Sequence, residues 1–486
     1  MKKRLSTKTI SLSVLMFVLN IILLFAMIFL LLEVNYGVDV IGYITKNYNR
    51  VLFVASSVII LSMLMYAYYY FECTEILRDM SKIIECFVLL DLSLLVSFLI
   101  GQFIDPNARP FAILALMAAT LLGRREAVFL NIVYALILFI IDINFTVGFS
   151  SDNSMWISCV SLLVTFCAGM TAIFITPAIK TRIQSVLMVI VLIVPAELII
   201  GVMELLFVED IGANLIILAY GALGCFFSVI GYMIVLPVFE IMFSELTVFR
   251  LRELTSEDSK LIKKLREEAP GTYNHSVVVA QLAQACANAI GEDGELARAA
   301  AYYHDMGKLK NPEMFTENQS DYNMHNELSP ELSADIIRSH TRDGAQLIRK
   351  NHIPEFFADC AVQHHGTMPI KYFYAKALKM SDGEINIANY SYAGPTPRSK
   401  IAAILMIVDA SEAASRSLKD RSPKAVEELV TALIEERLDM DQFADCDITM
   451  RELTIISHTV AVSLSGVYHN RITYPKLKIS KKDKKD

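Results

Sequence analysis

The sequence predicts an all-α protein: a polytopic transmembrane helix bundle followed by a cytoplasmic all-helical domain. Three observations carry this expectation. The 486 residues are 54% hydrophobic and only 20% charged, against about 45–50% and about 25% in an average soluble domain. The charge is uneven: residues 1–243 hold 13 Lys+Arg and 16 Asp+Glu, residues 244–486 the other 31 and 35. The charged half shows helix caps and apolar helical runs but no convincing strand pattern. A soluble single-domain enzyme, a secreted disulfide scaffold and a disordered chain are thereby excluded. The net charge of −7 gives no sign of nucleic-acid binding. Cys73, Cys86, Cys159, Cys167, Cys225, Cys286, Cys360 and Cys446 are scattered without a CxxC, so neither a disulfide framework nor a zinc ribbon is expected.

A hydrocarbon core of about 30 Å needs roughly 20 apolar residues per helix. Eight spans are expected: 9–32, 51–71, 84–104, 110–123, 126–147, 155–176, 183–208 and 211–243. The fourth is short and the eighth overlong. With a cytoplasmic N-terminus, the inner segments carry Lys2, Lys3, Arg4, Lys8, Arg78, Lys82, Arg124, Arg125, Lys180 and Arg182. The outer loops carry only Lys46, Arg50 and Arg109, so the ratio is 10 to 3 in the sense the positive-inside rule requires. Eight spans return the chain to the inside. The apolar run within residues 1–32 is too long for a typical signal peptide. Asp91, Asp142, Glu197 and Glu204 lie inside apolar spans, where ionisation is expensive. No basic partner lies in those spans, so hydrogen-bonded acids are favoured over a ligand or proton site. From Val235 to Leu265, with only Pro237 as a breaker, membrane helix is expected to run into amphipathic helix. The domains read as membrane region 1–243, helical linker 244–270, all-helical domain 271–470 and basic tail 471–486.

All nine histidines follow residue 270. Imidazole binds transition metals and titrates near neutrality, so the cluster suggests a metal site. Helical stretches place the series His275, His304-Asp305, His340, His364-His365 and Asp409 on separate helices, which can converge in a bundle core. Ser329-Pro330-Glu331 reads as an N-cap with proline at N1.

That ordered series resembles the HD-domain metal phosphohydrolases. The segments EAPGTYNHSVVVAQLA, AYYHDMGKLKNPEMFTENQ, LSPELSADIIRSHTRDG, QHHGT, GPTPRSK and ILMIVDASEAASRSL look like the seven-transmembrane HD (7TM-HD, PgpH-type) cyclic di-AMP phosphodiesterases over roughly residues 244–470. The resemblance implies a bacterial multi-pass membrane protein whose cytoplasmic HD domain hydrolyses cyclic di-AMP to 5′-pApA through a metal-bridging hydroxide. It implies two divalent ions. His275, His304, Asp305 and Asp409 would hold the first, and Asp305, His340 and His364 the second, with Asp305 bridging. A carboxylate has two oxygens and can span metals about 3.5–4 Å apart. Histidine and carboxylate without thiolate suit iron or manganese, with zinc as the alternative. Lys308 would stabilise charge on the phosphoryl group. His365 would be a phosphate contact rather than a ligand, and Arg398 and Lys400 are phosphate candidates. His325, His352, His458 and His469 occupy no motif position. Relatives that hold three metals carry a glutamate where this chain has Gly271.

Two departures bear on function. About 17 residues replace the family's large extracellular domain after the first span. No GYP-type motif follows His364-His365, which disfavours cyclic di-GMP as the substrate. A nucleotide-binding receptor would be favoured by missing ligands, and none is missing; a transporter is opposed by the complete metal site. A lipid bilayer and a cyclic dinucleotide are the partners implied, nucleic acid is not, and a homodimer and a ligand of the membrane region are compatible with the reading.

Overall fold

A computed structural model of the chain describes residues 5–36, 40–145, 154–207, 211–319, 322–380, 383–420 and 422–467. The basic tail 471–486, His469 and Lys2, Lys3 and Arg4 lie outside the described residues. Among the described residues the protein is helical, with one isolated antiparallel bridge, Pro369 to Ser391. The chain divides into two compact units, Met1–Phe249 and Arg250–Asp486.

In the first unit seven helices are long and apolar enough to cross a membrane: Thr7–Leu30, Tyr48–Phe71, Met80–Phe103, Arg124–Asn144, Trp156–Ala178, Arg182–Leu206 and Leu215–Met242. The expected span 110–123 is not an eighth. It is a nine-residue helix, Ile113–Leu121, about 13 Å long at 1.5 Å per residue. Hydropathy misleads here because a segment buried in protein reads like one buried in lipid.

The chain nevertheless changes ends between Phe103 and Arg124. Lys82 pairs with Glu245 at 2.5 Å, Arg182 with Glu240 at 2.7 Å, and Arg125 with Glu72, which gathers five helix termini at one end. Arg50 donates to the Asn144 carbonyl at 3.5 Å, and Arg109 pairs with Asp142 at 2.5 Å, at the other. The segment 104–123 joins these ends through the turn Pro106–Ala108 and the short helix. Its irregular half is buried in protein, the condition on which non-helical backbone is tolerated at membrane depth. Gly224 makes the room, since a Cβ there would lie 2.5 Å from the Arg109 carbonyl oxygen. Ser13 and Tyr66 hydroxyls, 3.3 Å apart, set the start of the first helix beside the end of the second. Among the described residues, seven long apolar helices and one broken segment therefore run between the two ends.

The broken pass also supplies the partner that the spans lack. Arg109 folds down from its loop to Asp142 and lies 3.4 Å from Ser161; both charged side chains are buried. Breaking one half of a buried pair leaves an uncompensated charge, at about 3–5 kcal/mol. Arg109→Leu is therefore expected to lower the unfolding midpoint in detergent sharply, and Arg109→Leu/Asp142→Leu to regain most of the loss. A single variant as stable as the parent would make the pair dispensable.

The continuous helix expected across the junction is also interrupted. The last span ends at Met242 with Pro237 inside it. Ser244 has φ 56°, and helix resumes at Val248–Leu254. Tertiary bonds override local propensity: Glu245 is held by Lys82, Thr247 by Glu240, and the Arg182 guanidinium lies 5.4 Å over the Phe249 ring.

In the second unit, helices Pro270–Ile290, Gly294–Tyr303, Pro330–Lys350, Glu355–Gln363 and Lys400–Ser415 carry the histidine series. Side-chain caps start three of them: Asp293 accepts from the Leu296 amide, Ser329 from Leu332, and Ser399 from Ala402. Each cap satisfies an amide the helix cannot. Gly307 lets the turn after His304-Asp305 press onto the Pro330–Lys350 helix, since a Cβ there would sit 1.8 Å from the His340 carbonyl oxygen.

Candidate metal centre

Five helices deliver the donors. His275 lies early in Pro270–Ile290. His304 ends Gly294–Tyr303, and Asp305 opens the 3-10 turn Met306–Lys310. His340 sits midway along Pro330–Lys350, His364 caps the end of Glu355–Gln363, and Asp409 lies within Lys400–Ser415.

The histidines share one design. His304 Nδ1 meets the Ala301 carbonyl at 2.6 Å, His340 Nδ1 that of Ile337 at 2.5 Å, and His364 Nδ1 that of Ala361 at 2.9 Å. His275 Nδ1 meets Glu412 Oε2 at 2.7 Å. A carbonyl or carboxylate partner puts the proton on Nδ1 and orients the ring. All four Nε2 atoms then converge.

They converge on two sides of Asp305. On one, His275 Nε2 is 2.9 Å from Asp409 Oδ1 and 3.7 Å from Asp305 Oδ2, and His304 Nε2 is 3.2 Å from Asp305 Oδ2. On the other, His340 Nε2 is 3.3 Å and His364 Nε2 3.8 Å from Asp305 Oδ1, with the two imidazole nitrogens 3.3 Å apart. Donor atoms of His275, His304, Asp305 and Asp409 all lie within 4.8 Å of one another, as do those of His340, His364 and His365. The structure thus gathers every expected ligand and adds His365 to the second group.

The donors fit a cation. His304 Nε2 and both Asp305 oxygens are buried without a hydrogen bond; their neighbours stand at ion-pair distance only. Leaving such atoms unmatched is costly unless a metal takes them. Burial opposes ionisation of Asp305, but His304 and Lys308 hold it well below the ordinary carboxylate range. Burial would lower His304, yet the adjacent Asp305 raises it to about 10. Burial depresses His340 and His364, and takes His365 down to about 3. Three neutral imidazoles therefore face the carboxylates.

Lys308 Nζ reaches Asp305 Oδ2 at 2.8 Å and Glu317 Oε1 at 2.7 Å, and lies 5.1 Å over the Phe315 ring. Burial opposes its charge, but Asp305 and Glu317 hold it ionised. Lys400 is drawn to Glu452 at 2.7 Å and Glu292 at 3.4 Å. Arg398 is exposed, its amide bound to Gln363 Oε1 at 2.9 Å. Neither belongs to the two donor groups. His325 Nε2 meets the Met314 carbonyl at 2.7 Å, and His458 is exposed near Glu427. Tyr303 is a core residue bound to the Leu254 carbonyl at 2.8 Å.

Sequence reasoning gave no role to Glu412, Glu317 or Tyr392. Glu412 orients His275 and is itself held by Arg416 Nε at 2.9 Å. Its signal was its place one turn after Asp409 on the same helix face.

Family models match both units. One described as a 7TM receptor with intracellular HD hydrolase covers residues 48–247, and an HD domain model covers residues 272–414. The two halves of the chain are thus similar, respectively, to the membrane and HD parts of 7TM-HD proteins. The chain is a multi-pass membrane protein. It is 45% identical over 264 residues to the cyclic-di-AMP phosphodiesterase PgpH of Listeria monocytogenes, covering 54% of this chain and 37% of that protein. With PgpH of Bacillus subtilis it shares 46% identity over 248 residues, 51% of this chain and 34% of the relative. The chain thus spans little more than a third of the curated relatives' length. The crystal structure of the L. monocytogenes PgpH HD domain in complex with cyclic-di-AMP is also similar, with 46% identity and a TM-score of 0.42, covering 44% of this chain and 99% of that one.

Proposed function

We propose that this 7TM-HD chain is a bacterial membrane-anchored phosphodiesterase whose cytoplasmic HD domain hydrolyses cyclic di-AMP to 5′-pApA. The observation that carries this is Asp305, whose two oxygens face two separate histidine groups. Two divalent ions, iron or manganese, suit these donors, and would supply an activated water and polarise the phosphodiester when bound. His275, His304, Asp305 and Asp409 would hold the first, and Asp305, His340 and His364 the second. Two ions rather than three agree with Gly271, where a Cβ would lie 1.9 Å from the Glu317 carbonyl oxygen; no glutamate fits there without displacing that backbone. Lys308 is assigned to the phosphoryl oxygens, and His365, Arg398 and Lys400 to substrate contacts. The substrate rests on the relatives.

Full-length protein in detergent, loaded with Mn²⁺, is expected to cleave cyclic di-AMP at least tenfold better in kcat/KM than cyclic di-GMP. Both substrates present the same phosphodiester, so discrimination lies in base contacts, where one buried polar group left unpaired costs about 1–3 kcal/mol. Equal rates at matched metal loading would remove the adenine assignment.

The eight passes return the chain to its starting side, and the alternation of Lys and Arg makes that side the cytoplasm. In a cysteine-free background, impermeant maleimide added outside cells is expected to label a cysteine at Asn47 and miss one at Ser417. The reverse pattern would invert the topology and deny the site a cytoplasmic substrate.

A further inference from the structure

We propose that Tyr392 binds substrate, its hydroxyl donating a hydrogen bond to the phosphodiester held over the His/Asp cluster. The proposal rests on the phosphodiesterase reading. The Tyr392 ring stacks on His365 at 4.3 Å between centroids and 25° between planes. It stands edge-on to His340 at 6.0 Å and 85°. His340 and His365 both belong to the second donor group, so the tyrosine forms a wall beside it.

The wall is fixed rather than draped. The Tyr392 amide donates to the Met368 carbonyl at 3.1 Å, beside the Pro369–Ser391 bridge. Gly366, in the left-handed region at φ 51°, turns the chain out of the His364-His365 helix end. The next residue, Thr367, is clamped by Gln442: its amide donates to Oε1 at 2.9 Å and its hydroxyl accepts from Nε2 at 2.8 Å. A ring stacked on His365 and anchored through its backbone needs little reorganisation when a ligand arrives, which favours recognition.

Other aromatic hydroxyls near the site are spoken for: Tyr303 bonds the Leu254 carbonyl, Tyr390 the Glu331 carboxylate, and Tyr322 the Glu327 carboxylate. Among the described residues, no hydrogen bond engages the Tyr392 hydroxyl. A phenol is a neutral donor at neutral pH, and a phosphodiester, which offers only acceptor oxygens, is its complement.

The test uses the full chain with Mn²⁺ and compares Tyr392→Phe and Tyr392→Leu on cyclic di-AMP and on bis(4-nitrophenyl) phosphate, which has no nucleoside. Losing one hydrogen bond to a charged group lowers rate about 10- to 100-fold. Tyr392→Phe is expected to show that loss in kcat/KM on both substrates. It is also expected to bind inorganic phosphate about tenfold more weakly by calorimetry, with Mn²⁺ content and unfolding midpoint unchanged. Tyr392→Leu should fall at least as far. A Phe variant equal to the parent on both substrates leaves the ring as packing and overturns the proposal, as does a loss confined to cyclic di-AMP, which would move the contact to the nucleoside. Should the parent cleave bis(4-nitrophenyl) phosphate but no cyclic dinucleotide, the substrate reading fails while the Tyr392 comparison still stands.

Discussion

Asp305→Ala is expected to abolish hydrolysis and to cut metal content below that of any single-histidine variant. Its carboxylate turns one oxygen toward each pair of expected histidine ligands: Oδ2 toward His304 and His275, Oδ1 toward His340 and His364. Removing it leaves the first set with His275, His304 and Asp409 and the second with imidazoles alone, without an anion to offset a divalent charge. His340→Ala removes one donor from the second set only, so it should lose about one ion and keep the other. His304→Ala should also abolish activity, because its Nε2 is buried in the first set with no other partner. The readout is metal analysis of purified protein beside the rate. The membrane unit should be unaffected, because none of these side chains belongs to it. Two full equivalents of metal in Asp305→Ala would end the bridging assignment.

How much of this was legible beforehand depends on the range of the interaction. The candidate donors could be read because their chemistry is rare and their order is fixed; six residues spread over about 135 positions lie together. Glu412 could not, since an acid on a helical stretch looks like a solvated one, and its partner His275 is 137 residues away. The alternation of positive charge is legible because it is a local property of each helix end. The crossing at 104–123 was misjudged because its apolar residues face protein rather than lipid, with Pro106 and Gly224 enabling a path that hydropathy does not report. The partner of Asp142 escaped for a related reason: Arg109 was counted in a loop, and the loop folds inward. At 243–247 no Gly or Pro marks the break; Lys82, far away in sequence, makes it by holding Glu245.

Lys308→Ala is expected to slow turnover by about 10²–10³, by analogy with deletion of an oxyanion-stabilising donor, while leaving metal content near that of the parent. The contrast with Asp305 is the substance of the prediction. Lys308 carries no lone pair when ionised and cannot hold a metal ion, so its loss should not empty the site. Its ammonium has three donors; Glu317 accepts one and Asp305 pairs with the charge, which leaves donors in number for a phosphoryl oxygen. Phe315 beneath it and Glu317 behind it limit where the ammonium can go. Glu317 is in turn tied to Thr272, whose hydroxyl donates to Oε1 at 3.1 Å. The lysine is therefore aimed before substrate binds. Glu317→Gln, which keeps the shape and removes the charge, should lower kcat less than Lys308→Ala does. If Lys308 acts on charge that develops during reaction, its loss appears mainly in kcat; if it only attracts the dinucleotide, it appears in KM. An unchanged kcat in Lys308→Ala, with metal content intact, would confine the residue to neutralising Asp305.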